Sequence, residues 1–346
     1  MKTQAAVLTE TSKPLQIEEL TLPALRAGQV QVKIAYSGVC HTQLNEAKGL
    51  KGEDKFLPHT LGHEGAGVVE ALGPGVTKVQ EGDSVVLTWI KGAGMDVPSV
   101  TYTREDGSNV NSGAISTFME RAVISENRLV PIPNGTPLRE LPLLGCAIPT
   151  GAGVAINTAQ VKPESTVAIF GVGGIGLSAA IGCKLQKAKT IIAIDVIDHK
   201  LDLAMKVGAT HKINGKNDDV IATIMEITNQ KGVDYSIEAS GKAKIMETAF
   251  QSVSNGGGLC VIAGNLPQGE RISLDPFDLI KGKKIVGTWG GETQPDRDIP
   301  RYADLFRTGD LELDPLITNV YSLSEINMAL DDLNDGKVGR GLIKLE

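Results

Sequence analysis

The sequence is short of cysteine, of aromatic residues and of positive charge, and each shortage narrows what the chain can be. Its four cysteines, Cys40, Cys146, Cys183 and Cys260, stand far apart with no CxxC pair. That excludes a disulfide framework and a zinc knot built on paired cysteines, and it predicts a reduced, cytoplasmic setting. Lys plus Arg number 34 against 41 for Asp plus Glu, a net charge of -7 with no basic run. A chain of this kind offers nucleic acid no electrostatic footprint. Six Phe, five Tyr and two Trp are all the aromatic residues there are, so each one placed near a site is informative.

Long apolar runs are also scarce. The first twenty residues meet charge at Glu10, Lys13, Glu18 and Glu19 before an apolar signal core can develop. The uncharged stretch Ser165 to Cys183 is long enough to span a bilayer. Its order, a β-branched run, then glycines, then small residues, instead reads as a buried parallel strand followed by its covering helix. No membrane partner is expected.

What is abundant is glycine. Forty in 346 residues is about 12% against a usual ~7%, which implies many tight turns or close approaches of backbone to something else. At roughly 100–200 residues per domain the length suggests two or three domains. Up to about residue 148, short β-branched stretches such as VQVKIAYSGV, GAGVVEAL and DSVVLTWI alternate with Gly and Pro, predicting a β-rich first domain. Residues 149–289 change rhythm, with strand candidates TVAIFGV, TIIAIDV, VDYSIEAS, GGLCVIAG and KKIVGTW separated by helical patterns. That alternation predicts a doubly wound parallel sheet. From 290 to 346 the character is mixed again: helices near Ile299 to Thr308 and Ser324 to Asn334, and a last strand GLIKL that should return to the first domain.

Within the second region Gly171-Val172-Gly173-Gly174-Ile175-Gly176 matches GxGxxG, directly after a predicted strand and at the opening of a helix. Glycines there let the backbone approach a pyrophosphate, and the helix N-terminus supplies free N–H donors. Asp195, nineteen residues after Gly176, ends the next strand, where an acid meets the adenosine ribose hydroxyls. The acid should repel a 2′-phosphate, so NAD is expected over NADP, although His199 and Lys200 leave NADP open. In the first region Cys40 and His63 could share a metal. Taken alone, such a pair is more often a buried thiol and a satisfied histidine.

The order of the motifs changes that balance. GVCHTQLN, GHEGAGVV, LGCAIPTGAGVA, GVGGIG with Asp195 and Lys200, and a terminal Arg340 in GKVGRGLIKL run through nearly the whole chain. In this order the chain resembles the zinc-dependent medium-chain alcohol dehydrogenase family. The resemblance implies a GroES-like β-rich catalytic domain (1–148 and 290–346) around an inserted NAD-binding Rossmann domain (149–289), with the active site in the cleft. It implies Cys40, His63 and Cys146 as ligands of one catalytic zinc per subunit, the fourth tetrahedral position staying open for an alcohol oxygen. Glu64 would tune or transiently approach the metal. Thr42 would take the alcohol proton as hydride passes to the nicotinamide. Thr150 and Ile175 match positions that hold the nicotinamide ring, Lys200 belongs to the dinucleotide site, and His41 and Arg340 match pyrophosphate contacts. For these last two a solvated surface position is the plain alternative. Trp89 and Phe118 match substrate-pocket positions, with ordinary core packing as their alternative. A homodimer or homotetramer acting on a small alcohol, aldehyde or ketone follows by the same resemblance.

The chain departs from the family pattern in three places. Residues 90–118 lack the four close cysteines of a second, structural zinc, so that region is expected to persist as a Gly- and Asn-rich loop without one. Gln43 stands where an Asp usually orients the ligand histidine, and Asn45 stands where liver-type enzymes end their proton relay in a histidine. Cys183 and Cys260 read as core thiols. The leading reading is an NAD- and zinc-dependent dehydrogenase of a primary or secondary alcohol, a polyol or sugar derivative included. Its rivals are a zinc-free quinone or enone reductase, which has no reason to keep the Cys40, His63, Cys146 set, and a noncatalytic NAD-binding protein, which needs neither that set nor Thr42.

Overall fold

The computed structural model describes residues 1–267 and 269–345. In chain order it forms β1 (Lys2–Leu8), β2 (Gln16–Thr21), β3 (Gln29–Val39), α1 (His41–Ala47), β4 (His59–Thr60), β5 (Glu64–Leu72), β6 (Ser84–Thr88), β7 (Thr101–Thr103), β8 (Asn109–Ser112), β9 (Arg121–Ser125) and β10 (Leu129–Ile132). Then come α2 (Ala147–Gly153), β11 (Thr166–Phe170), α3 (Gly174–Leu185), β12 (Thr190–Asp195), α4 (Asp198–Val207), β13 (His211–Asn214), α5 (Val220–Ile227), β14 (Tyr235–Glu238), α6 (Ala243–Ser252), β15 (Leu259–Ile262), α7 (Pro276–Ile280) and β16 (Lys284–Gly287). The chain ends with α8 (Pro295–Thr308), β17 (Ile317–Ser322), α9 (Ile326–Asn334) and β18 (Arg340–Lys344). Two compact units result: Met1–Cys146 with the chain from Gln294 onward, and Ala147–Thr293. The boundaries expected at 148 and 289 fall just inside the second unit. Its first helix and the turn at Gly290 belong to one packing, since a Cβ on Gly291 would lie 2.4 Å from the Thr150 carbonyl.

The first unit holds a closed barrel, β1-β2-β7-β8-β4, and a sheet in the order β10-β6-β5-β3-β18-β17, with β9 also on β3. The last strand does return to the first domain: β18 pairs antiparallel with β3, setting Gly341 opposite Val39. The barrel core is aliphatic, with Ala5, Leu20, Val30, Val32 and Val110 fully buried. Residues 90–118 correct the loop expectation in part, because they contain β7 and β8. The Asp106-Gly107 turn, Gly107 at φ +83°, folds these short polar strands into a hairpin that closes the barrel. Nearby, buried Glu126 accepts the backbone N–H groups of Thr77, Lys78 and Met95, at 2.6, 2.7 and 2.8 Å. A carboxylate gathering three amides is a strong local clamp.

The second unit is a parallel sheet in the order β13-β12-β11-β14-β15-β16. This is the doubly wound order, with its switch point between β11 and β14. Strands β11 and β12 are buried over nearly their whole length, which is why they read as continuous aliphatic runs. Ser165 to Cys183 divides between β11 and α3, and among the described residues no helix is long and apolar enough to cross a membrane.

Candidate active site

Four side chains of the first unit converge: one ligand atom each from Cys40, His63, Glu64 and Cys146, all within 4.8 Å of one another. Each arrives for a local reason. Cys40 follows the end of β3 and caps α1 in extended conformation (φ -126°, ψ 149°), its carbonyl accepting the Gln43 N–H at 3.1 Å. His63 and Glu64 sit at the entry to β5 behind Gly62, whose φ is +97° and whose Cβ, if it had one, would lie 2.4 Å from Thr117 Oγ1. Only glycine lets the chain turn there. Cys146 ends a short 3-10 segment, Leu141–Gly145, anchored by the Thr88 hydroxyl donating to the Gly145 carbonyl at 2.7 Å. A Cβ on Gly145 would lie 2.3 Å from the Leu87 carbonyl. Part of the glycine excess therefore serves this close packing.

Inside the cluster His63 Nε2 and Cys146 Sγ are 3.2 Å apart, and Gln43 hydrogen-bonds His63 Nδ1. The Gln43 amide nitrogen faces Nδ1 and its Oε1 is buried without a partner. A metal at Nε2 requires the proton on Nδ1, and the amide turned by 180° would present that carbonyl to accept it. Arg340, at the start of β18, donates to Glu64 Oε1, while Glu64 Oε2 is buried with no hydrogen-bond partner. Both residues of this pair are buried, Arg340 at 4% exposure and Glu64 at 0%. The surface alternative for Arg340 is thereby overturned, because the β3–β18 pairing carries its guanidinium inward beside Cys40.

The electrostatics follow from this burial. The Cys40 thiol is held well below its ordinary range by the hydrogen bond from Cys146 and by the positive charge of His63 and Arg340. Cys146, as the donor and in a buried position, is pushed well above it. Although burial opposes its charge, His63 is raised by the Cys40 thiolate. Glu64 is raised by burial against the pull of Arg340. Metal binding requires both thiols to ionise, and two thiolates and a carboxylate would then carry three negative charges against one permanent cation, Arg340. A divalent ion fits this set: it brings the buried charge to balance, and two sulfurs with an imidazole select zinc over magnesium or calcium.

Other expected residues take these places. His41 is exposed and Thr42 half-buried on the first turn of α1. Trp89 is half-buried at the edge of the barrel core. Phe118 is fully buried, in a core cluster with Ala6, Leu8, Val39 and Leu61. Cys183 and Cys260 are buried in the second unit, and burial pushes both thiols up to about 12. A second group, Glu46, Asp54 and His59, also gathers possible ligands. Its charges are already paired, His59 with Asp54 at 2.8 Å and Lys51 with Glu46 at 3.3 Å.

In the second unit the glycines of the loop divide their labour. Gly171 turns with φ +84°, Gly173 faces open space, and a Cβ on Gly176 would lie 1.9 Å from the Gly171 carbonyl. These are a tight turn, an open approach for a pyrophosphate, and close strand–helix packing. Gly174 and Ile175 open α3. Asp195 Oδ2 accepts the Val172 N–H at 2.9 Å and Oδ1 the Val196 N–H at 2.7 Å, which binds the end of β12 to the loop. Thr150 lies buried in α2 with its hydroxyl lacking a partner, and Lys200 is half-buried in α4. Replacing Asp195 with alanine is expected to raise KM for NAD about 10–100-fold, the equivalent of losing charge-assisted hydrogen bonds of about 1.5–3 kcal/mol, and to narrow the preference over NADP. Unchanged steady-state constants for both dinucleotides would remove Asp195 from the cofactor site.

The sequence was silent on the Glu64–Arg340 pair and on Glu238. A glutamate closing an otherwise buried strand, Tyr235–Glu238, was the one signal for the latter.

Comparison with known proteins agrees with this geometry. A family model for the alcohol dehydrogenase GroES-like domain matches residues 26–134, and one for zinc-binding dehydrogenase matches 174–308. An S-(hydroxymethyl)glutathione dehydrogenase of Synechocystis is 37% identical over 371 positions, covering 99% of this chain and 100% of its own. Benzyl alcohol dehydrogenase from Acinetobacter calcoaceticus superposes with a TM-score of 0.91 at 31% identity, covering 100% of both chains. An alcohol dehydrogenase zinc-binding domain protein from Burkholderia ambifaria does so with a TM-score of 0.94 at 33% identity, covering 100% of this chain and 99% of that one. With sulfur and nitrogen ligands gathered in one unit, a dinucleotide loop in the other, and relatives aligned from end to end, the chain belongs to the zinc-dependent alcohol dehydrogenases, NAD-dependent oxidoreductases acting on CH–OH groups.

Proposed function

We propose that the chain oxidises a primary alcohol to an aldehyde, with NAD as acceptor, and works in reverse on the aldehyde. The observation that carries this is the convergence of Cys40, His63 and Cys146 within 4.8 Å, with Thr42 two residues beyond the first of them. Two relatives are named for S-(hydroxymethyl)glutathione and for benzyl alcohol, both primary alcohols, which supports testing that class before secondary alcohols, polyols and sugar derivatives. A screen of alcohols, polyols and aldehydes with NAD and NADP tests the reading. Turnover of secondary alcohols alone would refute the narrower claim.

Cys40, His63 and Cys146 would hold zinc, and the second unit's loop would hold NAD. When bound, zinc acts as a Lewis acid that makes an alcohol hydroxyl acidic near neutral pH, and NAD accepts the hydride. The chain's own residues do the rest. Thr42 Oγ1 receives the alcohol proton and passes it outward. Asn45 cannot titrate, so the proton leaves by the cofactor ribose or water. Gln43 fixes the His63 ring without adding negative charge. Glu64 tunes the ligand set from a position locked by Arg340.

Thr42→Val keeps the shape of the side chain and removes the proton acceptor. It is expected to lower kcat/KM about 100-fold with zinc content unchanged. Intact turnover in that variant would take Thr42 out of the mechanism.

A homodimer suits the second unit. Strand β16 is the free edge of its sheet, and Phe277 (55% exposed), Ile280 (77%) and Val286 (41%) present apolar surface beside it. An apolar edge strand is a template for pairing with another strand. Light scattering should give a dimer or a tetramer built on it, and Val286→Lys should dissociate that pairing. A monomeric wild-type chain would overturn the expectation.

A further inference from the structure

Glu238 closes β14 with none of its surface exposed. Its Oε1 accepts the Ser240 N–H at 2.8 Å, the Gly241 N–H at 3.0 Å and the Ser240 hydroxyl. Its Oε2 is buried without a hydrogen-bond partner. A half-satisfied buried carboxylate is costly. Burial accordingly pushes this carboxyl above its ordinary range, against the pull of the Ser240 and Gly241 donors.

Its position gives that cost a use. Glu238 is in register with Phe170, the residue before Gly171, and with Ile262 at the end of β15. These strand ends border the switch point, where dinucleotides bind in folds of this order. On one side, a Cβ on Gly171 would lie 2.9 Å from Ser240 Cβ, so Ser240 forms the wall against which the first turn of the phosphate loop is set. On the other, a Cβ on Gly264 would lie 2.6 Å from Glu238 Oε2 and 2.3 Å from the Gly241 nitrogen. The Ala263 and Gly264 N–H groups donate to the Glu238 carbonyl at 2.8 and 3.0 Å. One residue thus joins the loops after β14 and β15 and, through Ser240, the phosphate loop.

We propose that Glu238 is a positioning residue for NAD: its carboxyl fixes the Ser240–Gly241 turn, and with it the phosphate loop and the loop after β15, in the arrangement that receives the dinucleotide. Glu238 does not itself touch the cofactor. The inference goes beyond alcohol oxidation and rests only on the use of NAD.

The test is equilibrium binding of NADH, followed by its fluorescence, to the zinc-loaded full-length protein and three variants. Glu238→Gln keeps a carbonyl oxygen in place for the three donors and should bind NADH within about threefold of wild type. Glu238→Asp keeps the charge but falls one methylene short, and Glu238→Ala removes the acceptor. Both should weaken binding about tenfold or more and raise KM for NAD by the same factor, with kcat at saturating NAD within about twofold. A general packing defect would not give that split. If the alanine variant does not fold, the Asp and Gln variants decide. Equal binding by wild type and Glu238→Asp overturns the proposal, as does a Gln variant as weak as the Asp one. Failure of the wild type to bind NADH overturns it together with the cofactor assignment.

Discussion

Cys146→Ser should purify with little or no zinc and lose about 10³–10⁴-fold in kcat/KM for alcohol, while still binding NADH. The magnitude follows from what a Lewis acid contributes, several kcal/mol of charge stabilisation, at about 1.4 kcal/mol per tenfold. Cys146 sits 3.2 Å from His63 Nε2 and shares its proton with Cys40, so its loss removes one of two sulfurs and leaves a set too poor in soft donors for zinc. The fold itself should survive. The 3-10 segment before Cys146 is anchored by Thr88 and by the close packing of Gly145, neither of which involves the sulfur. Zinc analysis, NADH titration and steady-state kinetics on one preparation check all three parts. A variant that keeps both zinc and activity would show that Cys146 is not a ligand.

Arg340→Met is expected to be the most destabilising single substitution at the site, by about 3–5 kcal/mol, because it strands the Glu64 carboxylate in a buried position. Glu64 is fully buried and its second oxygen already lacks a partner. At about 2–4 °C per kcal/mol for a unit of this size, Tm should fall by about 10 °C. Adding Glu64→Gln should recover much of that loss, since a neutral amide needs no counter-charge. The pH dependence has a defined sign. The folded state holds the Glu64 carboxyl above its ordinary value, so in wild type its ionised form is disfavoured by folding, and this contribution to stability declines as pH rises from the ordinary carboxylate range through the raised value. Removing Arg340 raises that carboxyl further, so the loss of stability should be larger at pH 8 than at pH 5. A melting temperature unchanged at both pH values would contradict the assigned pairing.

Much of this site could be read from the sequence, and what could not has physical causes. The phosphate loop is local chemistry: Gly171, Gly173, Gly176 and Asp195 lie within one strand–helix–strand unit, so spacing alone exposes them. The candidate zinc ligands are not local. Cys40 and Cys146 are brought together by sheet pairing, and only the order of several motifs made them legible. Arg340 shows the limit of single charges: nothing in GKVGRGLIKL says that the β3–β18 register turns this side chain inward to Glu64. Phe118 makes the same point for apolar residues, since nothing in its motif position says that the side chain is fully buried in a core cluster. Strands β7 and β8 were missed because they are short and polar, and exist only because the barrel closes around them. In the second unit β13, a polar edge strand, and α5, a short apolar run, gave similarly weak periodic signals.

The metal offers the most direct test. Zinc per chain should be measured on the purified protein together with NAD-linked alcohol oxidation before chelation, after chelation and after zinc is restored. The expected result is one zinc per chain, with activity that disappears with the metal and returns with it. Activity undiminished in metal-free protein would contradict a catalytic zinc at Cys40, His63 and Cys146, and two zinc ions per chain would contradict the single-site assignment.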